Sequence, residues 1–250
     1  AMITMSGEMG YPGVLSAPVW GFEDVSFDGE KLSLPQPFET YVMENILFKI
    51  SFPAEFHAQT AVEASVKLHN VVKDRINEIK LIEITTHESA IRIISKVGEL
   101  NNPADRDHCL QYMVAIGLLK GNLIAEDYED DVAEDPRINI LREKMTIIED
   151  KKYSKDYLEA NKRSIANRIK IYFNDGTSTD EIEVEYPIGH MRRRDEGIPV
   201  LENKFKSNLE ITYNEDIAKR IFELCLSQQE LEEISVVDFQ SLLSKKIQQL

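Results

Sequence analysis

A lysine and a histidine flank a proline at Lys49, Pro53 and His57. Because proline fixes φ and lacks a backbone N–H, Pro53 ends any helix that arrives from the N-terminal side. His57 then falls in the first turn of a helix predicted over 57–68, where unpaired N–H groups and the helix dipole favour anions. This spacing suits a carboxylate-binding corner. It also suits a plain loop-to-helix junction with a solvated lysine, which is the commoner arrangement because anion sites are few.

A second pair of reactive side chains is His108 and Tyr112, four residues apart. Both fall in a helix predicted over 105–119, with Pro103 just ahead of it as a first-turn proline. The i, i+4 spacing predicts that the two side chains share one face, where they could hold an anion or shuttle a proton. Alternatively both are structural, with the tyrosine hydroxyl bonded to a backbone group.

A short basic run, His190 followed by Arg192, Arg193 and Arg194, stands out in a chain of net charge −15. Guanidinium groups bind carboxylates and phosphates with paired hydrogen bonds, so this run is a candidate site for a polyanionic small molecule. A solvated linker is the alternative that its composition equally allows.

The overall composition excludes several classes of function. With 250 residues, 42% hydrophobic and 29% charged, the chain is expected to be an ordinary globular protein, and its acidity argues against nucleic-acid and anionic-membrane partners. The two cysteines, Cys109 and Cys225, are far apart and predict reduced core residues in a cytosol-like compartment. The expected localisation is the cytoplasm, or the mitochondrial matrix if the source is a eukaryote. No nucleophile-elbow, phosphate-binding or dinucleotide-binding motif occurs, so those chemistries are set aside, and without a zinc-binding motif no metal site is expected.

Hydrophobic periodicity predicts an α+β fold. The run 78–86 alternates apolar and polar residues as a half-buried strand does, and further strands are predicted over 145–149, 168–173 and 181–186. Asp175-Gly176 between the last two strands indicates a hairpin. Further helices are predicted over 124–129, 137–144, 200–209, 214–226 and 236–250. Helices, a small sheet and helices again predict a helical domain interrupted by a smaller α+β domain.

Eight motifs resemble the MmgE/PrpD family. They are GEMGYP at 7–12, SAPVWGFEDVSFDG at 16–29, FKISFPAEFHAQTAVEA at 48–64, THESAIRIISK at 86–96, NPADRDHCLQYMVAIGLL at 102–119, KRSIAN at 162–167, and VEYPIGHMRRR with EGIPVLENKF at 184–205. The resemblance covers nearly the whole chain and begins about half-way into the longer family members. The first twelve residues read as the end of a helix with no start ahead of it. Both observations lead us to expect the C-terminal part of a longer protein.

The resemblance implies both a fold and a reaction. The family has a large all-helical domain, built from both ends of the chain, with an α+β lid inserted between them. On this sequence, 1–46 would end the N-terminal helical domain, 47–190 would form the lid, and 191–250 would return to the helical domain. The implied reaction is the cofactor-independent loss of water from 2-methylcitrate to give 2-methyl-cis-aconitate, a step of propionate breakdown.

The resemblance also implies site residues. It matches Lys49 to a site lysine at the domain junction and Tyr112 to a tyrosine that reaches in from the lid. The expected catalytic residues are Lys49 and Tyr112, and the expected substrate-binding residues are His57, His108, His190, Arg192 and Arg193. Cations would stabilise the substrate carboxylates and the tyrosine would donate to the leaving oxygen, while the principal base would lie upstream of residue 1.

Partners follow from the same resemblance. The expected partner is a small tricarboxylate, and a homodimer is plausible from the relatives. Two alternatives remain at this point. One is another polycarboxylate lyase of the family, such as a cis-aconitate decarboxylase or citrate dehydratase; the other is a non-catalytic lid or interaction fragment.

Overall fold

The structure is a computed structural model that describes residues 2–34, 37 and 50–244. Lys49 therefore lies outside the described residues. The chain divides into two compact units, residues 1–45 and 46–250, and each is described by itself. In the first unit, two short helices, α1 (Met2–Met5) and α2 (Phe22–Phe27), alternate with turns. Helix α2 ends at Asp28, which adopts a left-handed conformation with φ of 53°.

The second unit combines a four-stranded sheet with helices, as the sequence predicts. Its strands are β1 (Ile79–Thr86), β2 (Met145–Glu149), β3 (Asn167–Phe173) and β4 (Ile182–Val184). Its helices are α3 (Gln59–Val72), α4 (Glu88–Ile94), α5 (Pro103–Asp107), α6 (Leu110–Lys120), α7 (Asp130–Ala133), α8 (Pro136–Glu143), α9 (Lys151–Leu158), α10 (Arg194–Thr212), α11 (Glu215–Leu226), α12 (Gln228–Glu233) and α13 (Val236–Leu243). Short 3₁₀ turns lie at Phe56–Ala58, Lys73–Glu78, Ala125–Tyr128 and Met191–Arg193.

The strands lie in the order β2-β1-β3-β4. Strands β1 and β2 are parallel, whereas β3 is antiparallel to both β1 and β4. Ile82 of β1 pairs with Met145 on one side and Ile171 on the other. The predicted hairpin between β3 and β4 is confirmed, and Gly176 turns it with φ of 86°, a conformation that glycine adopts without strain.

The core lies between the sheet and the helices α3 and α6. Helix α6 is apolar on nearly every side, which is typical of a helix surrounded by other elements. It approaches α3 closely at Gly117, where a Cβ atom would lie 2.0 Å from the Ser65 hydroxyl oxygen. Gly121, with φ of 70°, ends the helix in a left-handed cap.

The helix predicted over 105–119 is in fact two helices, α5 and α6. His108 ends α5 with φ of −108° and ψ of 22°, and Cys109 has an extended backbone with φ of −119° and ψ of 106°. An extended residue cannot continue a helix, so the chain turns there from the surface into the core. The prediction that His108 and Tyr112 share one helical face is therefore wrong.

Two helices that flank the sheet were not predicted from the sequence. Helix α4 follows β1 directly, and α9 follows β2, with the Asp150 carboxylate accepting from the Lys152 amide at its start. Among the C-terminal helices, α10, α11 and α13 were predicted and α12 was not, and α10 begins earlier than expected, at Arg194. In the described part of the chain, no helix is both long and apolar enough to cross a membrane.

Candidate functional site

One edge of the sheet gathers polar side chains from four parts of the chain. Strands β1 and β2 are parallel and therefore end at the same edge, while β3, antiparallel to β1, begins there. His87 directly follows β1, Tyr157 lies on the helix after β2, and Asn167 opens β3. The turn Phe56–Ala58 lies against them, since the Asn167 side-chain amide donates to the His57 carbonyl at 3.0 Å.

Glu55 orients the imidazole of His57. The His57 Nδ1 atom lies 2.9 and 3.0 Å from the two Glu55 carboxylate oxygens, one of which also accepts from the His57 backbone N–H at 2.7 Å. An ionised carboxylate can only accept hydrogen bonds, so Nδ1 of His57 carries a proton and donates it. In the neutral imidazole, the Nε2 atom is consequently an acceptor.

Tyr157 occupies the other side of the same ring. Its hydroxyl oxygen lies 3.1 Å from His57 Nε2, so the hydroxyl donates to the neutral imidazole. Glu55, His57 and Tyr157 thus form a hydrogen-bonded chain that joins a carboxylate to a phenol through an imidazole. We call these three residues, together with His87, the sheet-edge cluster.

His87 is the fully buried member of the sheet-edge cluster. Its ring stacks on Tyr157 with centroids 4.7 Å apart and lies 5.2 Å from the His57 ring. Burial, and to a lesser extent the neighbouring His57, lowers the pKa of His87 from 6.5 to about 4. Its Nε2 atom has no hydrogen-bond partner among the described residues. His87 is therefore a neutral ring at pH 7.

A buried hydrogen-bond network holds the turn that carries His57 in place beneath the cluster. The Asn167 amide also donates to the Thr60 hydroxyl at 2.8 Å, and Thr60 in turn donates to the Ile165 carbonyl. Thr60 and Asn167 are completely buried, so these bonds are protected from water. The turn that carries His57 is thereby joined to the start of β3.

Tyr112 lies outside the sheet-edge cluster. Its buried hydroxyl donates to the Asp127 carbonyl at 2.7 Å, and its ring stacks on Tyr128. Burial raises the pKa of Tyr112 to about 12, so it is a neutral phenol at pH 7. Its backbone partner is the one expected of a structural tyrosine, and the catalytic role of Tyr112 stays a prediction.

Tyr112 also lines a cavity of about 580 Å³. Three cationic side chains share this lining, Lys96, Arg106 and Arg142, along with the acidic Glu99 and Glu143. Arg106 is almost fully buried and donates to the Tyr128 carbonyl at 2.6 Å. Nη2 of the same guanidinium group lies 2.7 Å from the Asp130 carboxylate, so much of the Arg106 charge is already compensated.

The basic run binds the protein's own backbone and carboxylates. Arg192 donates to the carbonyls of Lys162 and Asn161 at 3.1 and 2.5 Å, and the buried His190 ring lies 3.1 Å from the same Lys162 carbonyl. Arg193 forms ion pairs with Glu63 and Glu196, both at 2.8 Å. Through these contacts His190, Arg192 and Arg193 stabilise the fold, while their proposed substrate contacts stay predictions.

His108 is exposed, and its Nδ1 atom lies 2.5 Å from the Asp107 carboxylate. Of the residues predicted to form the site, the structure thus places His57 in the sheet-edge cluster and Tyr112 in the cavity lining. Sequence reasoning missed Glu55, His87 and Tyr157. Glu55 and His87 stand in the conspicuous segments FPAEFH and TTHES, but Tyr157 lies on a helix that the sequence pattern did not reveal.

Metal binding receives no support from the described residues, among which no group of three or more His, Cys, Asp and Glu side chains is arranged to hold an ion. The cluster instead combines groups that accept and donate protons. An imidazole with a fixed proton position between a carboxylate and a phenol is suited to general acid–base chemistry.

Comparison with known proteins identifies the family. The sequence pattern of the MmgE/PrpD C-terminal domain matches residues 52–228. The chain belongs to the MmgE/PrpD family. The match includes Glu55, His57, His87 and Tyr157, so the whole sheet-edge cluster lies within this family's C-terminal domain.

Several relatives of this chain are named as 2-methylcitrate dehydratases or probable ones. The chain is 54% identical over 245 residues to a 2-methylcitrate dehydratase of Escherichia coli K12, a match that covers 97% of this chain and 51% of the relative. It is 49% identical to a mitochondrial 2-methylcitrate dehydratase of Yarrowia lipolytica, with 98% of this chain and 48% of the relative covered. A probable 2-methylcitrate dehydratase of Saccharomyces cerevisiae is 55% identical over 203 residues. The chain thus spans about half the length of the bacterial and Yarrowia relatives.

Proposed function

We propose that this chain supplies one part of a 2-methylcitrate dehydratase, which removes water from 2-methylcitrate to give 2-methyl-cis-aconitate. The observation that carries the proposal is the 54% identity to the Escherichia coli enzyme along 97% of this chain. The matched region includes the sheet-edge cluster as well as the core. The remaining half of the relative, about which this chain carries no information, would supply the other wall of the site.

The chemistry of dehydration agrees with the groups in the cluster. A base must remove a proton from carbon beside a carboxylate, and an acid must assist the departing hydroxide. Cations must also stabilise the negative charge that develops on the carboxylate. We propose that residues 47–190 form a lid over the substrate, that Lys49 contacts its carboxylates, and that no cofactor takes part.

Two further features belong to the same proposal. We place the enzyme in the cytoplasm, or in the mitochondrion of a eukaryote, because one relative is named as mitochondrial. We also propose a homodimer as the working form. Neither feature affects the chemistry at the sheet edge.

The proposal is tested with a chimera in which this chain replaces the matching segment of the Escherichia coli enzyme. We expect the chimera to turn over 2-methylcitrate within about tenfold of the parent rate, because 54% of the aligned residues are identical and a core tolerates substitutions that keep its volume and patterning. The ultraviolet absorbance of the new double bond measures the rate, and citrate and cis-aconitate serve as competing substrates. The isolated chain is the matched control and should show no turnover. A chimera that unfolds cooperatively yet leaves 2-methylcitrate unchanged would refute the proposed function.

A further inference from the structure

We propose that Tyr157 is a catalytic residue that exchanges protons with the substrate, and that His57 and Glu55 form the relay behind it. This inference rests on the proposed dehydration and assigns a role in that reaction to a residue outside the predicted site. Its basis is the hydrogen-bonded chain from Glu55 to His57 and from His57 to Tyr157, with contacts of 2.9 and 3.1 Å.

The direction of the chain follows from its chemistry. The Glu55 carboxylate accepts from Nδ1 of His57, so Nε2 is left with a free lone pair that faces the Tyr157 hydroxyl. A proton can therefore leave the phenol toward the imidazole as the phenol oxygen gains another. The resulting imidazolium is stabilised by the carboxylate at its other end, which is the role that the carboxylate has in a catalytic triad.

Exposure identifies Tyr157 as the end that meets the substrate. The side chains of His57 and Glu55 are only 10% and 13% exposed, whereas Tyr157 lies partly open at the sheet edge. His87 stacks on the Tyr157 ring and fixes its plane. Because burial keeps His87 neutral at pH 7, it adds no charge that would repel a proton from the relay.

The proposed step conserves protons and electrons. The Tyr157 oxygen takes the proton from the substrate carbon while its own proton passes to His57 Nε2. The carbon–hydrogen electron pair becomes the new double bond, and the carbon–oxygen bond breaks with hydroxide as the leaving group. The proton held by His57 then returns through Tyr157 to that hydroxide, so the products are one alkene and one water.

A purely structural role is the alternative. In that case, the bond between His57 and Tyr157 only holds the turn Phe56–Ala58 against α9. The two roles differ in what a single oxygen atom contributes to turnover. They also differ in how turnover depends on pH.

The first test measures turnover in the chimera described above. Tyr157→Phe removes the oxygen and keeps the ring stacked on His87, and we expect kcat to fall at least about 100-fold, the lower end of general acid–base contributions, with KM nearly unchanged. Glu55→Gln should lower kcat and move the pH profile. Tyr172→Phe, on β3 near the hairpin, is the matched control and should keep the parent rate. A folded Tyr157→Phe chimera that retains more than about one third of kcat would overturn the relay, since proton transfer contributes far more than this.

A second test does not depend on the substrate. Nitrogen-15 NMR of the imidazole rings in the 250-residue chain reports which His57 nitrogen carries the proton, with His57→Gln providing the assignment. We expect the proton on Nδ1, and a shifted Nε2 signal in Tyr157→Phe. A proton on Nε2 would overturn the relay even if the dehydration is confirmed. Conversely, a chimera that is inactive on 2-methylcitrate would refute the proposed function, while the NMR result would still test the direction of the hydrogen-bonded chain.

Discussion

Replacing Ile82 with alanine is expected to lower the free energy of unfolding by about 3 to 4 kcal/mol. Ile82 is fully buried in β1, with β2 and β3 on either side, and its neighbours belong to a sheet that cannot collapse to fill the space. The loss combines the burial of the removed methyl groups with the cavity that they leave. Urea unfolding, followed by circular dichroism, measures it from the midpoint and slope.

The matched control for this substitution is Lys80→Ala on the same strand. Lys80 is exposed, so its replacement should change the free energy of unfolding by no more than about 0.5 kcal/mol. An Ile82→Ala variant as stable as Lys80→Ala would contradict the placement of β1 at the centre of the core.

His87 is expected to make the protein less stable as the pH falls from 6.5 toward 4. Its pKa is about 4 in the folded protein and 6.5 in the unfolded chain, so between these values the unfolded chain binds more protons. The contribution of His87 to the free energy of unfolding therefore rises with pH across this window and is fully present above pH 6.5. The pKa difference corresponds to about 3 kcal/mol at the acid end of the window and to about 2 kcal/mol at pH 5.

Unfolding of the parent chain and of His87→Gln at pH 5 and pH 7.5 measures this contribution. Carboxylates affect both proteins alike, so the difference between their pH dependences isolates His87. We expect the parent to lose about 2 kcal/mol more than the variant on acidification. Parallel losses in the two proteins would show that His87 titrates normally and is not held in a dry environment.

The sheet was predictable because its signals are local. Alternation over 78–86 and the Asp175-Gly176 turn depend on neighbouring residues alone, and β1 and the β3–β4 hairpin form where they were expected. The break between α5 and α6 was not predictable from periodicity. It arises because the apolar run after Cys109 enters the core while the preceding turn stays at the surface.

The sheet-edge cluster was only partly predictable for a related reason. His57 was predicted to be a site residue because it lies near a helix start, but its partner Tyr157 is 100 residues away in sequence. Strand order brings the two together, since α9 follows β2 and the turn at His57 lies at the end of the neighbouring β1. The basic run was selected by its composition, which cannot show that the guanidinium groups of Arg192 and Arg193 bond to nearby carbonyls and carboxylates; its substrate contacts stay a prediction.

The sheet-edge cluster is proposed to contact the substrate. Tricarballylate, a tricarboxylate without the hydroxyl group that would leave, can occupy the site without reacting. Imidazole NMR of the chimera, with His57→Gln and His87→Gln for assignment, should show the His57 and His87 signals moving as tricarballylate is added, with the same saturation as its inhibition of turnover. Signals that stay in place while turnover is fully inhibited would contradict the claim.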